Sequence, residues 1–376
     1  MKKISYNKPT IIAGELEYIR DAVESGKISG DGKYSRKCQE LMEDKFGIAR
    51  VLLTTSCTSA LEMSSLLINL KPGDEVIMPS YTFVSTANAF ILRGAIPVFI
   101  DIREDTLNID ERLIEKSITD KTRAIIPVHY AGVGCEMDTI MEIAREKQLC
   151  VVEDAAQGIN ASYKGKYLGT IGDLGAFSFH ETKNITCGEG GALLINNKAL
   201  TARAEIILEK GTNRKKFFRG EIDKYTWIDV GSSYLMSDIL AAYLFAQLEN
   251  LEKIQKKRQI IFEFYYESLR DMQKLGKLKL PVFPANCRPN YHIFYILFPD
   301  EKQRNKVLKK LKEAGILAVF HYVPLHLSPM GRIFGYKPGD FPVTEDLSNR
   351  IIRLPLYYEL TIDEAEFVVS ELKKII

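Results

Sequence analysis

Two segments of the sequence place reactive side chains at or just beyond the ends of buried apolar runs. The run at residues 149–154 ends in Asp154, and the run at 175–179 contains Ser178 and is followed by Lys183. A buried carboxylate is costly unless a cation neutralises it, and a protonated pyridine nitrogen is a suitable cation. A lysine amine condenses with an aldehyde. The pair therefore indicates chemistry on an aldehyde attached to a pyridine ring.

A third apolar run, at residues 51–55, is followed by Ser56, Cys57 and Thr58 at the start of a predicted helix. The first N–H groups of a helix have no partner within it, and together with the helix dipole they bind phosphate. An acid for the ring nitrogen, a condensing amine and a phosphate seat are what pyridoxal 5′-phosphate requires. We therefore predict pyridoxal 5′-phosphate as the cofactor. The glycine-rich turn at residues 188–191 lets the backbone approach it closely.

Each of these residues has an ordinary explanation when it is taken alone. An aspartate after a strand is commonly a turn or cap residue, and serines and threonines before a helix are common caps. Most lysines are exposed and have no chemical role. It is the order along the chain, phosphate seat, acid, then serine and lysine, that favours the cofactor.

Apolar runs and amphipathic stretches alternate in the first half of the chain. The runs are rich in Val, Ile, Leu and Phe and predict buried strands at residues 51–55, 75–78, 96–101, 123–129, 149–154, 175–179 and 191–195. The stretches between the early runs predict helices at residues 58–70, 82–93, 110–118 and 136–148. We expect a mainly parallel sheet flanked by helices, with ligands beyond the carboxyl ends of its strands.

The second half has a different pattern. Residues 237–270 predict one long amphipathic helix, and the elements beyond it are strands at 291–299 and 316–323, a helix at 301–314 and a final helix from about residue 361. A chain of 376 residues is too long for one typical core. We expect an α/β fold with a large domain at residues 1–250 and a small α+β domain at 251–376.

Composition narrows the possible partners. Fifty-one Lys+Arg against 49 Asp+Glu give no bulk attraction to nucleic acid or to an anionic membrane. The six cysteines have no C-x-x-C spacing, which predicts reduced thiols and no metal site. The sequence has neither a signal peptide nor an apolar stretch near the roughly 20 residues that span a bilayer. We expect a cytoplasmic protein.

Several motifs together carry a family resemblance. They are Pro79-Ser80-Tyr81-Thr82-Phe83-Val84-Ser85-Thr86-Ala87-Asn88, Glu153-Asp154-Ala155-Ala156-Gln157, Phe177-Ser178-Phe179-His180-Glu181-Thr182-Lys183-Asn184 and Gly188-Glu189-Gly190-Gly191. The sequence resembles the sugar aminotransferases of the DegT/DnrJ/EryC1/StrS family, a branch of the fold-type I pyridoxal phosphate enzymes. The likeness extends through Tyr322-Val323-Pro324-Leu325-His326 and Leu354-Pro355-Leu356. It implies a large, aspartate aminotransferase-like cofactor domain.

The resemblance also implies roles for individual residues. Lys183 matches the Schiff-base lysine, and Asp154 matches the partner of the pyridinium nitrogen. Gln157 is expected beside the ring near its phenolic oxygen, and Phe83 is expected to stack on the ring face. The phosphate contacts are expected to be Ser56, Cys57, Thr58 and Ser178.

Relatives build their active sites across a two-fold interface, so the resemblance implies a homodimer with shared sites. Many members have an Asn in a Gly-Tyr-Asn-Tyr-Arg segment that reaches the phosphate of the neighbouring subunit. This chain has Gly231-Ser232-Ser233-Tyr234-Leu235 there. Ser233 is the candidate for the same contact, with a shorter reach.

The implied reaction moves an amino group from L-glutamate to a nucleotide-linked keto sugar. Within the family, residues 26–32, 179–183 and 229–238 resemble most closely the branch that aminates dTDP-4-keto-6-deoxy-D-glucose. Amination at C3, the gluco epimer and another nucleotide remain alternatives. Sugar dehydratases of the same family have a histidine in place of the lysine, so Lys183 argues against dehydration.

The candidate substrate contacts lie in polar segments outside the cofactor motifs, except for His180. They are Gly30, Asp31, Lys33, Tyr34, His180, Lys210, Arg219 and His326. The basic segment 210–219 is explained equally well as a solvated loop, and His180 as a packed, hydrogen-bonded residue.

A nicotinamide oxidoreductase is the alternative from another class. The run at 123–129 is followed by Gly132-Val133-Gly134-Cys135-Glu136-Met137 and a helix, and Asp154 lies where a ribose-binding acid would be. The third glycine of that pattern is replaced by Met137, whose bulk would push the helix away from the strand. A non-catalytic sensor on the same fold is disfavoured by the retained Lys183.

Overall fold

A computed structural model describes residues 3–376, in which the strands are short and mostly buried. The strands are β1 Arg50–Thr54, β2 Glu75–Pro79, β3 Ile96–Ile100, β4 Thr122–Ile125, β5 Cys150–Asp154, β6 Ser162–Tyr163, β7 Lys166–Tyr167, β8 Leu174–Ser178, β9 Gly191–Ile195, β10 Cys287–Arg288, β11 Phe294–Leu297 and β12 Ile351–Leu354.

Most helices lie between these strands or follow them. The helices are α1 Glu15–Glu24, α2 Lys33–Phe46, α3 Cys57–Leu67, α4 Val84–Ile91, α5 Met137–Glu146, α6 Thr201–Leu208, α7 Arg214–Phe218, α8 Asp238–Glu249, α9 Leu251–Lys274, α10 Glu301–Glu313, α11 Pro329–Ile333, α12 Pro342–Arg350 and α13 Ile362–Ile375. Neither α1 nor α2 was among the helices that the sequence pattern predicted.

The central sheet has seven strands in the order β1-β9-β8-β5-β4-β2-β3. Pairing is parallel from β3 across to β8, whereas β9 is antiparallel to both of its neighbours. Six strands therefore share one direction, and the expected mainly parallel α/β sheet is confirmed. Both faces are covered, because Val51 and Leu53 pack in one hydrophobic core while Leu52, between them, packs in another.

Two predicted helices differ from the structure. Residues 110–118 form two short 3-10 turns, Glu111–Leu113 and Glu115–Ser117, and the Asp110 carboxylate caps the first of them by accepting the Arg112 N–H. The single helix predicted at 237–270 is two helices, α8 and α9. Asn250 separates them, with φ −103° and ψ 14°.

The C-terminal elements differ less from prediction. The strand expected at 291–299 is β11, paired antiparallel with β12. The strand expected at 316–323 is reduced to isolated bridges, Ile316 with Ile4 and Val319 with Arg353. These elements share a hydrophobic core with one face of α9. The division into domains at 1–250 and 251–376 stays a proposal.

The N-terminal segment links this C-terminal core to the centre of the chain. Ile4 is fully buried in that core, and its N–H donates to the carbonyl oxygen of Gly315 at 2.9 Å. Three residues later, the side-chain amide of Asn7 donates to the carbonyl oxygen of Glu181 at 3.2 Å. Residues 4–7 therefore connect the C-terminal core to the segment that carries Lys183.

Three further observations concern residues 3–376 as a whole. No helix there is long and apolar enough to cross a membrane. No group of three or more His, Cys, Asp or Glu side chains in this range is placed to hold a metal ion. All six cysteines are free thiols.

Candidate active site

The strand directions bring the predicted cofactor residues to one edge of the sheet. β1, β5 and β8 end at this edge, and β9 begins there. Gly191, the first residue of β9, is the register partner of both Thr54 and Ser178. The start of α3, which follows Thr54, is therefore held close to Ser178.

The first turn of α3 has the features of a phosphate seat. Ser56 is the N-cap, and its hydroxyl accepts the Ser59 N–H at 3.0 Å. Cys57 and Thr58 occupy the first two helical positions, whose N–H groups have no acceptor within the helix. A Cβ on Gly191 would lie 2.3 Å from the Cys57 backbone nitrogen, so only glycine fits beneath this turn.

The Cys57 thiol is buried and uncharged. Burial and the nearby Asp154 carboxylate raise the pKa of Cys57 well above its usual range. The thiol therefore carries no negative charge that would repel a phosphate group, and the backbone N–H is the group of Cys57 suited to an anion.

Asp154, at the end of β5, is only 6% exposed and accepts two hydrogen bonds. The Thr86 hydroxyl donates to Oδ2 at 2.7 Å, and the Ala156 N–H donates to Oδ1 at 3.1 Å. The Thr86 hydroxyl also lies 2.7 Å from that of Thr82. A carboxylate has about four lone-pair positions, so these bonds orient Asp154 and leave it able to accept a donor such as a pyridinium N–H.

Lys183 lies in the turn after β8, where its N–H donates to the His180 carbonyl oxygen at 2.9 Å. Burial lowers the pKa of the Lys183 amine, and Arg353 acts in the same direction, whereas the Asp154 carboxylate opposes it. No residue in the described range forms a hydrogen bond with the side-chain amine. A lysine in this environment is a better nucleophile than an exposed lysine.

Tyr322 is a site residue that the sequence pattern did not identify. The Gln157 side-chain oxygen accepts the Ala131 N–H at 2.7 Å, which fixes its amide so that Nε2 donates to the Tyr322 hydroxyl at 3.0 Å. Burial raises the pKa of Tyr322, so the phenol keeps a proton that it can donate. The Tyr322 ring lies 6.2 Å from that of Phe83, which is 56% exposed and open to a stacking partner.

We expect Tyr322→Phe to lower kcat about tenfold, because it removes this donor and leaves the Gln157 amide without its acceptor. Steady-state kinetics and the visible spectrum of the bound cofactor measure the effect. Tyr336→Phe is the matched control, since the Tyr336 hydroxyl also accepts one hydrogen bond, from Phe99 N, and donates another, to Pro97 O. An unchanged kcat in Tyr322→Phe would show that the hydroxyl does not act in the reaction.

Two buried histidines belong to the same environment. Asn184 donates its amide to the Asn290 carbonyl oxygen, so its own Oδ1 accepts the Nδ1–H of His292 at 2.9 Å. His321 Nδ1 lies 2.7 Å from the Tyr130 hydroxyl. Burial lowers the pKa of both histidines well below the usual value, and the charges of Lys183 and Arg353 add to this effect. Both rings are therefore neutral.

The neutral histidines predict a loss of stability in acid. Their pKa values are lower in the folded state than in the unfolded state, so only the unfolded chain takes up protons as the pH falls through about 6.5. For His292 alone this lowers the free energy of unfolding by about 1.4 kcal/mol between pH 7.5 and pH 5.5. Urea unfolding at the two pH values should show a smaller drop, by about this amount, in His292→Asn than in the wild type. Equal drops would contradict a neutral His292.

Comparison with known proteins identifies the family. The model of the DegT/DnrJ/EryC1/StrS aminotransferase family matches residues 9–373. The chain belongs to this family. The homologues of this chain in the family are pyridoxal phosphate-dependent transaminases, and the acid, the amine and the phosphate seat described above fit that cofactor.

Two relatives and a solved structure match this chain over nearly the whole length of both proteins. The chain is 34% identical to the spore coat polysaccharide biosynthesis protein SpsC of Bacillus subtilis, covering 99% of this chain and 97% of SpsC. It is 31% identical to the GDP-perosamine synthase of Escherichia coli O157:H7, covering 100% and 99%. The structure matches the pyridoxal phosphate form of the putative sugar aminotransferase Spr1654 from Streptococcus pneumoniae with a TM-score of 0.91, at 25% identity, covering all of both chains. This DegT/DnrJ/EryC1/StrS member is a pyridoxal phosphate-dependent sugar aminotransferase of fold type I.

Membership of the family excludes the nicotinamide alternative, and the two glycines of that pattern have other reasons for being small. A Cβ on Gly132 would lie 1.9 Å from the Asn290 side-chain oxygen, and one on Gly134 would lie 3.0 Å from the Tyr163 side chain. Both glycines make room for other parts of the chain, not for a dinucleotide.

Two of the predicted substrate contacts, His326 and Tyr34, have buried side chains in the single chain. His326 has no exposed surface, and its ring nitrogens are taken by the Ser80 hydroxyl at 2.5 Å and the Glu345 carboxylate at 3.0 Å. Tyr34 is 2% exposed, and its ring packs against Tyr18 and Phe245. Both residues stabilise the fold of this aminotransferase.

The charged residues among the predicted substrate contacts mostly form ion pairs with other residues of the chain. Lys33 lies 2.6 Å from Asp21 and Asp31 lies 4.0 Å from Lys215, while the backbone of Gly30 packs tightly against Met236. In the basic segment, Arg219 pairs with Glu205 at 2.9 Å and Lys210 approaches Glu209 at 4.0 Å. None of these contacts involves Lys183.

Two further predicted site residues, His180 and Ser233, lie near the edge of the sheet that carries the predicted cofactor residues. The Nδ1 atom of His180 lies 2.9 Å from the Thr182 hydroxyl, and the ring is partly exposed. The backbone carbonyl oxygen of His180 accepts the Lys183 N–H. Ser233 is exposed, and just beyond it Leu235 forms a bridge with Thr54 at the end of β1. Both are placed where they are accessible to a substrate or to a second subunit.

Proposed function

We propose that this aminotransferase moves the amino group of L-glutamate to C4 of dTDP-4-keto-6-deoxy-D-glucose, giving dTDP-4-amino-4,6-dideoxygalactose. The observation that supports the transfer is the arrangement of Lys183, Asp154 and the α3 phosphate seat at one edge of the sheet. The choice of sugar rests on residues 26–32, 179–183 and 229–238, which resemble those of dTDP-4-amino-4,6-dideoxygalactose transaminase.

The cofactor is held by groups that are already oriented. The N–H groups of Cys57 and Thr58, the Ser56 cap and the Ser178 hydroxyl would hold the phosphate. The Asp154 carboxylate, positioned by Thr86, would accept the ring N–H. Gln157 and Phe83 are placed for the ring edge and the ring face. When bound, pyridoxal phosphate supplies an electron sink that stabilises negative charge on the carbon bearing the amino group.

Lys183 has two roles in this proposal. Its amine is the covalent anchor of the cofactor, and once displaced by the amino donor it is the base that takes the proton from the donor's Cα. The lowered pKa of Lys183 favours both roles, because more of the amine is neutral at physiological pH. In the second half of the reaction Lys183 Nζ returns a proton at the sugar carbon that receives the amine.

We include a homodimer with shared sites in the proposal. Ser233 is exposed and has the place of the residue that reaches the partner's phosphate in other members. The segment that precedes it has exposed large apolar side chains, among them Trp227 at 76% and Phe218 at 65%. Light scattering on the active enzyme tests this proposal, and a monomer with full activity would contradict it.

Another nucleotide sugar is the main alternative, because a relative of 31% identity is named for a GDP-linked product. The test is a product assay with L-glutamate and dTDP-4-keto-6-deoxy-D-glucose, with the aminated carbon and its configuration assigned by NMR. We expect an axial C4 amine on the dTDP sugar. Turnover only with a GDP, UDP or 3-keto sugar would replace the proposed substrate, and an equatorial C4 amine would indicate the gluco epimer.

The relative SpsC is named for polysaccharide biosynthesis. We extend the proposal to a cytoplasmic enzyme that provides an amino sugar for a bacterial surface polysaccharide, such as lipopolysaccharide O-antigen or enterobacterial common antigen. Deletion of the gene is expected to remove the 4-amino sugar from the surface polysaccharide, as measured by sugar analysis. An unchanged sugar composition would contradict this extension.

A further inference from the structure

Asn184, the residue after Lys183, has a buried side chain that is hydrogen-bonded through both of its polar atoms. Nδ2 donates to the Asn290 carbonyl oxygen at 2.9 Å, and Oδ1 accepts the Nδ1–H of His292 at 2.9 Å. Asn290 lies 106 residues further along the chain. The turn that carries Lys183 is therefore tied by two hydrogen bonds to residues 290–292.

Residues 290–292 are themselves held by Arg258 of α9. Tyr291 has a φ of +55°, in the left-handed region that residues other than glycine rarely adopt. The buried Arg258 guanidinium donates from Nε to the Tyr291 carbonyl oxygen at 3.1 Å, and from Nη2 to that of His292. Burial lowers the pKa of Arg258 to about 10, so it is still a cation at neutral pH and both hydrogen bonds are charge-assisted. They stabilise a backbone conformation that is otherwise costly.

The same segment also supports the loop that contains Gln157. The side-chain amide of Asn290 donates to the carbonyl oxygens of Gln157 at 2.7 Å and Ile159 at 2.9 Å. Gln157 is the residue expected beside the cofactor ring, and Lys183 is the residue expected to bond to the cofactor. Residues 290–292 therefore hold the ring-edge loop and the Lys183 turn in a fixed relation to each other.

We propose that Asn184 is a positioning residue, which holds the Lys183 amine in place while the amine is displaced from the cofactor and transfers the proton. This inference rests on the role proposed for Lys183. During that step no covalent bond to the cofactor fixes the lysine, so its position depends on the turn that carries it. A misplacement of about 1 Å in a reacting group costs on the order of 10²-fold in rate. Asn184 acts through the backbone that it shares with Lys183, not through contact with the substrate.

The role of Asn184 is tested with Asn184→Leu, which keeps the approximate size of the side chain and removes both hydrogen bonds. Asn196→Leu is the matched control, because the Asn196 side chain also makes two, to the carbonyl oxygens of Gly169 and Gly172 at 3.0 and 2.9 Å. Asn196 follows the last residue of β9, whose first residue lies at the edge of the sheet that carries the predicted cofactor residues. It is therefore at the opposite edge.

Two substitutions of His292 change one of these hydrogen bonds alone. His292→Leu removes the N–H that donates to Asn184 Oδ1, whereas His292→Asn places an amide N–H at about the position of Nδ1. The asparagine variant is therefore expected to restore what the leucine variant loses.

Two measurements on the full-length holoenzyme separate positioning from stability. The conversion of the bound cofactor by glutamate alone is followed by stopped-flow absorbance, which gives a limiting rate and a half-saturating glutamate concentration. Backbone hydrogen exchange at residues 180–186 is followed by mass spectrometry. Unfolding temperatures show whether each variant is folded.

We expect Asn184→Leu to lower the limiting rate about 100-fold and to change the half-saturating glutamate concentration less than about threefold. Exchange at residues 180–186 should become faster, because the turn has lost its attachment. His292→Leu should lose about tenfold in limiting rate and His292→Asn less than about threefold. Asn196→Leu should lower the unfolding temperature as Asn184→Leu does, but keep the wild-type rate and the wild-type exchange at 180–186.

Three outcomes would overturn the proposal. They are a limiting rate in Asn184→Leu equal to that of Asn196→Leu, an effect confined to the half-saturating glutamate concentration, and unchanged exchange at residues 180–186. If Asn184→Leu does not fold, the two His292 variants provide the test, and equal limiting rates in them would contradict the proposal. If the wild type fails to convert its cofactor with glutamate, it is the proposed function that fails. The exchange measurement needs no turnover, so it still decides whether Asn184 holds the Lys183 turn.

Discussion

Lys183→Ala is expected to reduce kcat by at least about 10⁴-fold, the largest effect of any single substitution in this enzyme. The alanine removes both the covalent anchor and the base that takes the Cα proton. Free cofactor would still bind through the α3 phosphate seat and Asp154, because neither depends on the lysine. The absorbance near the violet end of the visible that marks the bond between lysine and cofactor is expected to disappear.

Lys183→Arg tests whether a positive charge at this position is sufficient, since arginine keeps a cation but cannot condense with the aldehyde. It is expected to be as inactive as the alanine variant. Lys166→Ala, at an exposed lysine of β7, is the control and should retain wild-type turnover and absorbance. Substantial turnover in Lys183→Ala would remove the basis of the proposed function.

Asp154→Asn is expected to lower kcat about 10³-fold while the protein stays folded and binds the cofactor. Asparagine keeps the shape of the carboxylate, with an oxygen for the Ala156 N–H and an amide NH2 that can donate to the Thr86 hydroxyl, but not the negative charge. Without that charge the ring nitrogen loses its proton, and the ring becomes a weaker electron sink. Single-turnover kinetics with glutamate measures the loss in the chemical step.

Asp138→Asn is the matched control, because it removes a carboxylate on the exposed side of α5. It should leave kcat within about twofold of the wild type. Thr86→Val is an intermediate case, since it keeps the Asp154 charge but removes the hydrogen bond that orients it. A kcat in Asp154→Asn that equals that of the control would mean that another residue partners the ring nitrogen.

The sequence predicted correctly those residues whose position depends on a single strand. β5 and β8 are buried on both faces and read as continuous apolar runs, so their ends, and with them Asp154 and Ser178, follow from local pattern. The phosphate seat could be predicted for the same reason, because an N-cap and the free N–H groups after it are local features.

Features that depend on packing between distant segments could not be predicted in this way. Thr86 supports Asp154 from 68 residues away, and Tyr322 meets Gln157 across 165 residues. The burial of His326, a predicted substrate contact, could not be predicted for the same reason. Its neighbour in sequence, Leu325, has its N–H bonded to the Ser80 carbonyl oxygen, and this pairing carries His326 into the interior. A polar residue in a polar segment gives no local sign of such burial.

The N-terminal segment has a consequence for the order in which the chain folds during synthesis. The backbone of Ile4 pairs with Ile316, so it has no backbone partner until more than four fifths of the chain has left the ribosome. Asn7, three residues further on, contacts the carbonyl oxygen of Glu181. The sheet edge with its phosphate seat is complete by residue 195, yet the beginning of the chain is among its last parts to dock. Nascent chains halted before residue 316 should therefore leave their first residues open to protease.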